Sequence, residues 1–245
     1  MPADQPTILA TSGGYVTHPR LFLRFGPLIE HAVELSGTTR TPRMAYLGTA
    51  GGDQLHWITH HDEAARLAGF DLRPVALFPM PNVDDLRETL LDQDVIWVGG
   101  GSVAGLLAMW QVHGLGPILR EAWESGVVLS GVSAGSICWY QGGTTDSFGP
   151  ELRAVTNGLA LLPYGNGVHY DTEERRRPLV HSLVADGTFD EVHCTDDHVG
   201  LVYHGTDLVE AVSEKDGAGA YIVTRDDEGT VSEERLEPRR LPRTT

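Results

Sequence analysis

The sequence predicts an α/β fold, a doubly wound and mostly parallel sheet with helices on both faces. Three observations predict it. Short apolar runs alternate with helix-period runs through the first 140 residues, the pattern of repeated βαβ units. The apolar runs are continuous rather than alternating, which suits strands covered on both faces. Several of them stop at glycines, namely Gly13-Gly14, Gly51-Gly52 and Gly99-Gly100-Gly101, and one stops at Gly131-Val132-Ser133-Ala134-Gly135. In such sheets ligands bind at the carboxyl ends of the strands, so these strand ends are expected to share one edge.

The elements follow in order. Residues 7–11 read as a first strand closed by Ser12-Gly13-Gly14. That loop lacks Gly-x-Gly-x-x-Gly, so phosphate binding is a weak reading of it. Leu21, Phe25, Leu28, Ile29, Ala32 and Leu35 fall at helical spacings, with Gly37 as a stop signal. Residues 43–50 read as a second strand, 62–67 as a helix capped by Gly69, and 74–78 as a third strand. Asn82 is placed to cap a helix over 83–91, with Asp84 and Asp85 in its first turn. Residues 95–98 form a fully apolar strand, followed by helices over about 103–111 and 116–124. Beyond the Gly-x-Ser-x-Gly the pattern loosens: a short strand around Val168, a helix over 178–185, a strand over 199–203 turning at His204-Gly205, and a terminal hairpin joining 220–223 to 230–232. Residues 1–233 are expected to form a single α/β domain, and 234–245, rich in proline and arginine, a loose C-terminal tail.

Composition narrows the function classes. A net charge of −16 leaves no cationic surplus to neutralise phosphates, so a nucleic-acid partner is not expected. Cys138 and Cys194 are the two cysteines, too few for a disulfide framework or a four-cysteine zinc site. Residues 1–6 carry no signal-peptide pattern and no apolar run reaches membrane-spanning length, so a cytoplasmic setting with no membrane partner is the expectation. Whether the chain is a monomer or a homodimer is left open by the sequence.

The stretch 127–140 is the most informative. An apolar strand, Gly-x-Ser-x-Gly and a helix start make the grammar of a nucleophile elbow. Ser133 sits at the tip of a strained turn, and Gly131 and Gly135 flank it because a Cβ at either place would crowd that turn. The N–H of Ala134 is placed to meet a developing oxyanion, and the Gly99-Gly100-Gly101 loop offers a second donor. The bland reading of both is a tight structural turn.

A serine hydroxyl needs a base, and the base an orienting acid. His169, in a glycine-rich loop beside a short strand, is the best of the 11 histidines by context. A carboxylate from Asp196 or Asp197 in a neighbouring loop is placed to orient it, and Asp146 is a third candidate. Arg175, Arg176 and Arg177 form the dense basic group near His169, fit either to bind an acidic substrate group or to be the solvated face of a helix start. Metal readings are weaker. His56 and His60 have an i, i+4 spacing with no obvious third ligand, and His193-Cys194-Thr195-Asp196-Asp197-His198 mixes donor types.

Taken together, Ile96-Trp97-Val98-Gly99-Gly100-Gly101, Gly131-Val132-Ser133-Ala134-Gly135, Thr144-Thr145-Asp146, His169-Tyr170 and Asp196-Asp197 resemble, in order and spacing, the peptidase E family. This family of serine peptidases includes alpha-aspartyl dipeptidase and is related to cyanophycinase. The resemblance implies a fold similar to class I glutamine amidotransferase domains, with a C-terminal β-hairpin read from the chain itself. It implies Ser133 as nucleophile, His169 as base, Asp196 as the best-aligned triad acid, and Gly101 with Ala134 as the oxyanion hole. Asp197 and Asp146 stay as alternatives for the acid. Ser102 stands where the family often has Asn lining the cleft, and Arg175 to Arg177 fall where selective members hold a substrate aspartate.

The function expected from this resemblance is hydrolysis of short peptides, with N-terminal aspartyl dipeptides as the finer expectation, and with no metal or organic cofactor. The alternatives are a cyanophycinase-like exopeptidase on beta-aspartyl-arginine, and a non-catalytic binding domain on the same scaffold.

Overall fold

The structure, a computed structural model, describes residues 3–242. Its first half runs β1 (Thr7–Thr11), β2 (Tyr15–Val16), β3 (Arg24–Phe25), α1 (Pro27–Leu35), β4 (Arg43–Leu47), α2 (Leu55–Ala68), β5 (Asp71–Val75), α3 (Leu86–Leu91), β6 (Val95–Val98), α4 (Val103–His113), α5 (Leu115–Glu124), β7 (Val128–Val132) and α6 (Ala134–Ile137). The second half runs β8 (Tyr140–Thr145), β9 (Arg153–Val155), β10 (Leu162–Gly167), α7 (Arg176–Ala185), β11 (Glu191–Thr195), β12 (Val199–His204), β13 (Asp207–Ser213), β14 (Ala220–Arg225), β15 (Val231–Leu236) and β16 (Arg239–Arg240).

The main sheet has the strand order β16-β13-β12-β1-β7-β6-β4-β5. From β1 to β5 every pairing is parallel, while β12 pairs with β1 and β13 with β12 in the antiparallel sense. Alternation along the buried strands divides the core in two. Met44 and Tyr46 of β4, Val95 and Trp97 of β6, and Leu9 of β1 face a layer made with Leu28 and Ile29 of α1 and Ala64 and Ala65 of α2. Ala45, Leu47, Ile96, Val98, Ile8 and Ala10 face the opposite layer with Leu90, Leu106, Trp110 and Leu119 of α3 to α5. The expected α/β class with helices on both faces is what the chain forms.

A second, six-stranded sheet, β15-β14-β11-β10-β8-β9, was not expected. Its parallel strands β8, β10 and β11 read Tyr-Gln-Gly-Gly-Thr-Thr, Leu-Pro-Tyr-Gly-Asn-Gly and Glu-Val-His-Cys-Thr, which hold few apolar residues and no continuous apolar run. The glycines are steric requirements there: a Cβ on Gly142 or Gly143 would overlap the carbonyl of Val155 or of Asn166. The C-terminal hairpin is present as β14 and β15, each longer than expected.

Several boundaries moved for identifiable reasons. The helix expected from Leu21 starts at Pro27, whose ring suits the first helical position. Arg24–Phe25 pairs instead with Tyr15–Val16 as a ribbon. The strand expected over 74–78 is Asp71–Val75, an edge strand that tolerates Pro74. Asp85, not Asn82, caps α3 by accepting from Glu88 N–H at 2.9 Å. Asn82 is used by Ala76 N–H and Pro74 carbonyl oxygen, at 2.9 and 3.0 Å. The loose-tail expectation is corrected over 234–242. There β15 continues to Leu236, β16 pairs with β13, and Leu241 is buried. Arg239 holds Glu210 through both carboxylate oxygens. Residues 243–245 of that expected tail, and residues 1–2, lie outside the described residues. Among the described residues no helix is long and apolar enough to cross a membrane.

The turn after β7 is held by close approach. A Cβ on Gly135 would overlap the Val98 carbonyl at the end of β6, and one on Gly131 would meet Gly135 and Val98 oxygens. Because the opposing atoms are backbone, Gly135→Ala is expected to cost about 3 kcal/mol by chemical denaturation, the upper range for overpacking. A loss below 1 kcal/mol would show that the turn yields.

Candidate active site

The parallel strands deliver their C-terminal ends to one edge. Ser12–Gly14 after β1, Ser133 after β7, Gly99–Gly101 after β6 and Gly48–Gly52 after β4 therefore lie side by side. Since β12 runs antiparallel to β1, with Thr11 opposite Gly200, the preceding Asp197 and His198 arrive at this edge as well.

Ser133 adopts φ 58° and ψ −112°, a conformation a non-glycine residue holds only under constraint. Its N–H donates to Thr11 O at 3.0 Å, and its carbonyl accepts from Ser136 and Ile137 N–H at 2.9 and 3.0 Å. Gly100 packs against it, so that a Cβ there would stand 3.4 Å from the Ser133 Cβ. Gly101 has φ +138° and a Cβ on it would overlap Ala50 O. Among the described residues no carbonyl accepts from the N–H of Gly101 or Ala134. The helix after Ser133 is only four residues long, so these free local donors, rather than a long helix dipole, are what the turn offers an anion.

His169 follows β10, also at positive φ (53°). Its N–H donates to Ser12 Oγ at 3.1 Å. Two consecutive residues at the end of β1, Thr11 and Ser12, thus hold the backbones of Ser133 and His169. The His169 Nδ1 is hydrogen-bonded to Asp197 Oδ1. The other Asp197 oxygen accepts from Thr172 Oγ1 at 3.0 Å, and Asp197 N–H donates to Asp171 at 2.8 Å. With Nδ1–H directed at the carboxylate, Nε2 is the imidazole's lone-pair nitrogen.

The expected acid, Asp196, is turned away. Its Oδ2 accepts from Gly219 N–H at 2.8 Å and Tyr221 O–H at 3.2 Å. It is buried, and desolvation holds its carboxyl above the ordinary range. Asp196 follows β11 and Asp197 lies in the turn that leads into β12, closed by Val199 N–H on Asp196 O at 3.2 Å, and it is the Asp197 carboxylate that meets His169. Asp146 lies exposed in the turn after β8, its carbonyl accepting from Gly149 N–H, and makes no bond to His169.

The remaining expected residues are engaged in structure. Ser102 Oγ caps α4 by accepting from Gly105 N–H at 3.1 Å. Arg175 pairs with Glu173 and donates to Pro150 O at 2.7 Å. Arg176 is buried and donates to Thr144 O at 2.8 Å. Arg177 pairs with Glu233 and lies over the rings of Tyr170 and Tyr221, at 4.3 and 4.6 Å. His193 is buried between Tyr203 and Glu191 at 2.6 Å from each, and His60 stacks on Phe22. Among the described residues no three His, Cys, Asp or Glu side chains gather in a metal-binding group.

A cavity of about 210 Å³ opens beside Ser133, lined by Tyr15, Tyr46, Gly51, Trp57, His61, Gly99, Gly100 and Val132. Sequence reasoning missed its aromatic wall, because Tyr15, Trp57 and His61 share no motif. It also missed Ser12. Gly13 and Gly14 have a steric reason to be glycine, since a Cβ on them would meet His198 Cα and the Trp97 ring at 2.7 and 2.8 Å.

A strained serine between a parallel sheet and a helix, with a histidine–carboxylate pair and unpaired backbone donors at the same edge, defines the serine-hydrolase class of α/β protein. Residues 8–211 match peptidase family S51, and the chain belongs to that family; it is a serine-type peptidase. It is 39% identical over 182 residues to a Bacillus subtilis (strain 168) protein described as uncharacterized peptidase YgaJ, covering 74% of this chain and 78% of that one. It is 28% identical over 171 residues to peptidase E of Shewanella denitrificans (strain OS217), covering 65% and 72%. Its fold is similar to the crystal structure of a peptidase from an acI-B1 Actinobacterium, with a TM-score of 0.66 and 17% identity over 96% of this chain and 95% of that one. A putative peptidase E protein from Listeria monocytogenes EGD-e gives 0.59 and 14% over 95% and 100%.

Proposed function

We propose that the chain hydrolyses short peptides through an acyl-enzyme formed on Ser133, with His169 as general base and Asp197 as its orienting acid. The observation that carries this reading is the His169–Asp197 hydrogen bond at the edge where Thr11 holds the Ser133 backbone and Ser12 that of His169. Ser133 Oγ attacks the scissile carbonyl as His169 Nε2 takes its proton. The N–H groups of Gly101 and Ala134 receive the oxyanion, and His169 returns the proton to the leaving amine. Water then attacks the ester by the same route. Asp197 stays ionised and stabilises the imidazolium.

The finer expectation of an N-terminal aspartate loses its basis in this reading. Arg175, Arg176 and Arg177 are each committed to protein partners, and none lines the cavity beside Ser133. Free-amine release from Asp-Leu, Ala-Leu, Leu-Leu and Phe-Leu tests the function. At least one is expected to be cleaved at a rate unchanged by a metal chelator. No cleavage of any of them, or loss of cleavage with the chelator, would contradict the reading.

A further inference from the structure

We infer that the cavity beside Ser133 selects an uncharged apolar or aromatic side chain on the residue whose carbonyl is attacked. The inference rests on the serine-peptidase reading above and adds the substrate class.

Position assigns the cavity to the acyl side. In the sheet, β7 lies between β1 and β6. His169 and Asp197 stand on the β1–β12 side of β7, where Ser12 holds the histidine backbone. The cavity extends toward the other flank, along Gly99 and Gly100 after β6 and Gly51 after β4, with Tyr15 of β2 also in its lining. The leaving amine must face His169, which protonates it. The acyl residue therefore extends away from His169, toward the cavity.

Chemistry assigns the side chain. The volume of about 210 Å³ exceeds the roughly 150 Å³ that suffices to hold a benzene ring. No Lys or Arg lines it. The polar tips in its wall are largely spent on one another. Trp97 Nε1–H donates to the Tyr15 hydroxyl oxygen at 2.7 Å, and the same hydroxyl is hydrogen-bonded to His61 Nε2 at 2.8 Å. His61 Nδ1–H completes the run to Trp57 O, also at 2.8 Å. Burial pushes the His61 pKa down to about 4, so this imidazole is neutral at pH 7 and offers no cation. The Tyr46 ring stacks on His61 at 3.8 Å, and burial together with the nearby Asp53 carboxylate holds the Tyr46 hydroxyl protonated. An entering carboxylate would give up its hydration against neutral walls and a nearby like charge, whereas an apolar side chain gains by burial. At the rim, exposed Phe22 stands edge-on to Trp57 at 5.3 Å and continues the apolar surface outward.

The test compares kcat/KM for Phe-Leu, Leu-Leu, Asp-Leu and Lys-Leu, together with the rates at which phosphonate analogues of Phe and of Asp label Ser133. Phe-Leu or Leu-Leu is expected to exceed both Asp-Leu and Lys-Leu by at least about 30-fold, with the same order among the phosphonates. Trp57→Arg places a cation in the half-buried wall and is expected to narrow the Phe-to-Asp ratio at least tenfold, circular dichroism reporting its folding. Asp-Leu cleaved as well as Phe-Leu, with both phosphonates labelling Ser133 equally, would overturn the inference and leave the serine mechanism standing. Hydrolysis that survives Ser133→Ala, with no label from either phosphonate, would overturn the mechanism and this inference with it.

Discussion

Ser133→Ala is expected to lower kcat for peptide hydrolysis by about 10⁵-fold or more, leaving only what the oxyanion donors and substrate binding supply. The protein should still fold. The Ser133 contacts that build the turn are backbone ones, its N–H to Thr11 O and its carbonyl to Ser136 and Ile137, and alanine keeps them all. Free-amine release under single turnover reads the effect. A residual rate within tenfold of wild type would remove Ser133 from the chemistry. KM should change little, because the hydroxyl contributes to the transition state and not to holding the ground state.

Asp197→Asn and Asp196→Asn are expected to differ sharply although the two residues are neighbours. Asp197 accepts from His169, so its amide would present the wrong partner to Nδ1 and favour the wrong tautomer. A fall in kcat of about 10⁴-fold is expected, with a fold indistinguishable from wild type. Asp196 instead joins the end of β11 to the start of β14, through Gly219 N–H and Tyr221 O–H. Asparagine retains an acceptor oxygen there, so kcat should stay within about threefold and the change should appear as about 1 kcal/mol of stability. Equal losses of kcat in the two variants, or the larger loss at Asp196, would reverse the assignment.

The same neighbours show where sequence reading stops. Apart from the β2–β3 ribbon, the order of strands and helices through β7 was legible because burial on both faces writes itself as uninterrupted apolar runs, and the edge location followed from the parallel connection. Ser133 was legible because its turn needs Gly131 and Gly135, whose absent side chains make room for Val98 O. The choice between Asp196 and Asp197 was not. It depends on which way an irregular segment faces as it crosses from β11 to β12, and no residue pattern records that. The arginines illustrate the converse. Arg175, Arg176 and Arg177 stood out as a basic cluster, yet Pro150, Thr144 and Glu233 come from separate places in the chain to occupy them. The second sheet escaped notice for a related reason. Its glycine-rich strands are specified by backbone crowding from Val155 and Asn166, which appear only once the chain has folded.

The central claim is a covalent acyl-enzyme on Ser133, and the most direct measurement is acid-quench mass spectrometry during turnover of an activated ester of a short peptide. One acyl group per chain is expected, mapped to the peptide containing Ser133, accumulating in His169-intact protein and absent from Ser133→Ala. Continued turnover with no adduct at Ser133, or an adduct on another residue, would contradict it.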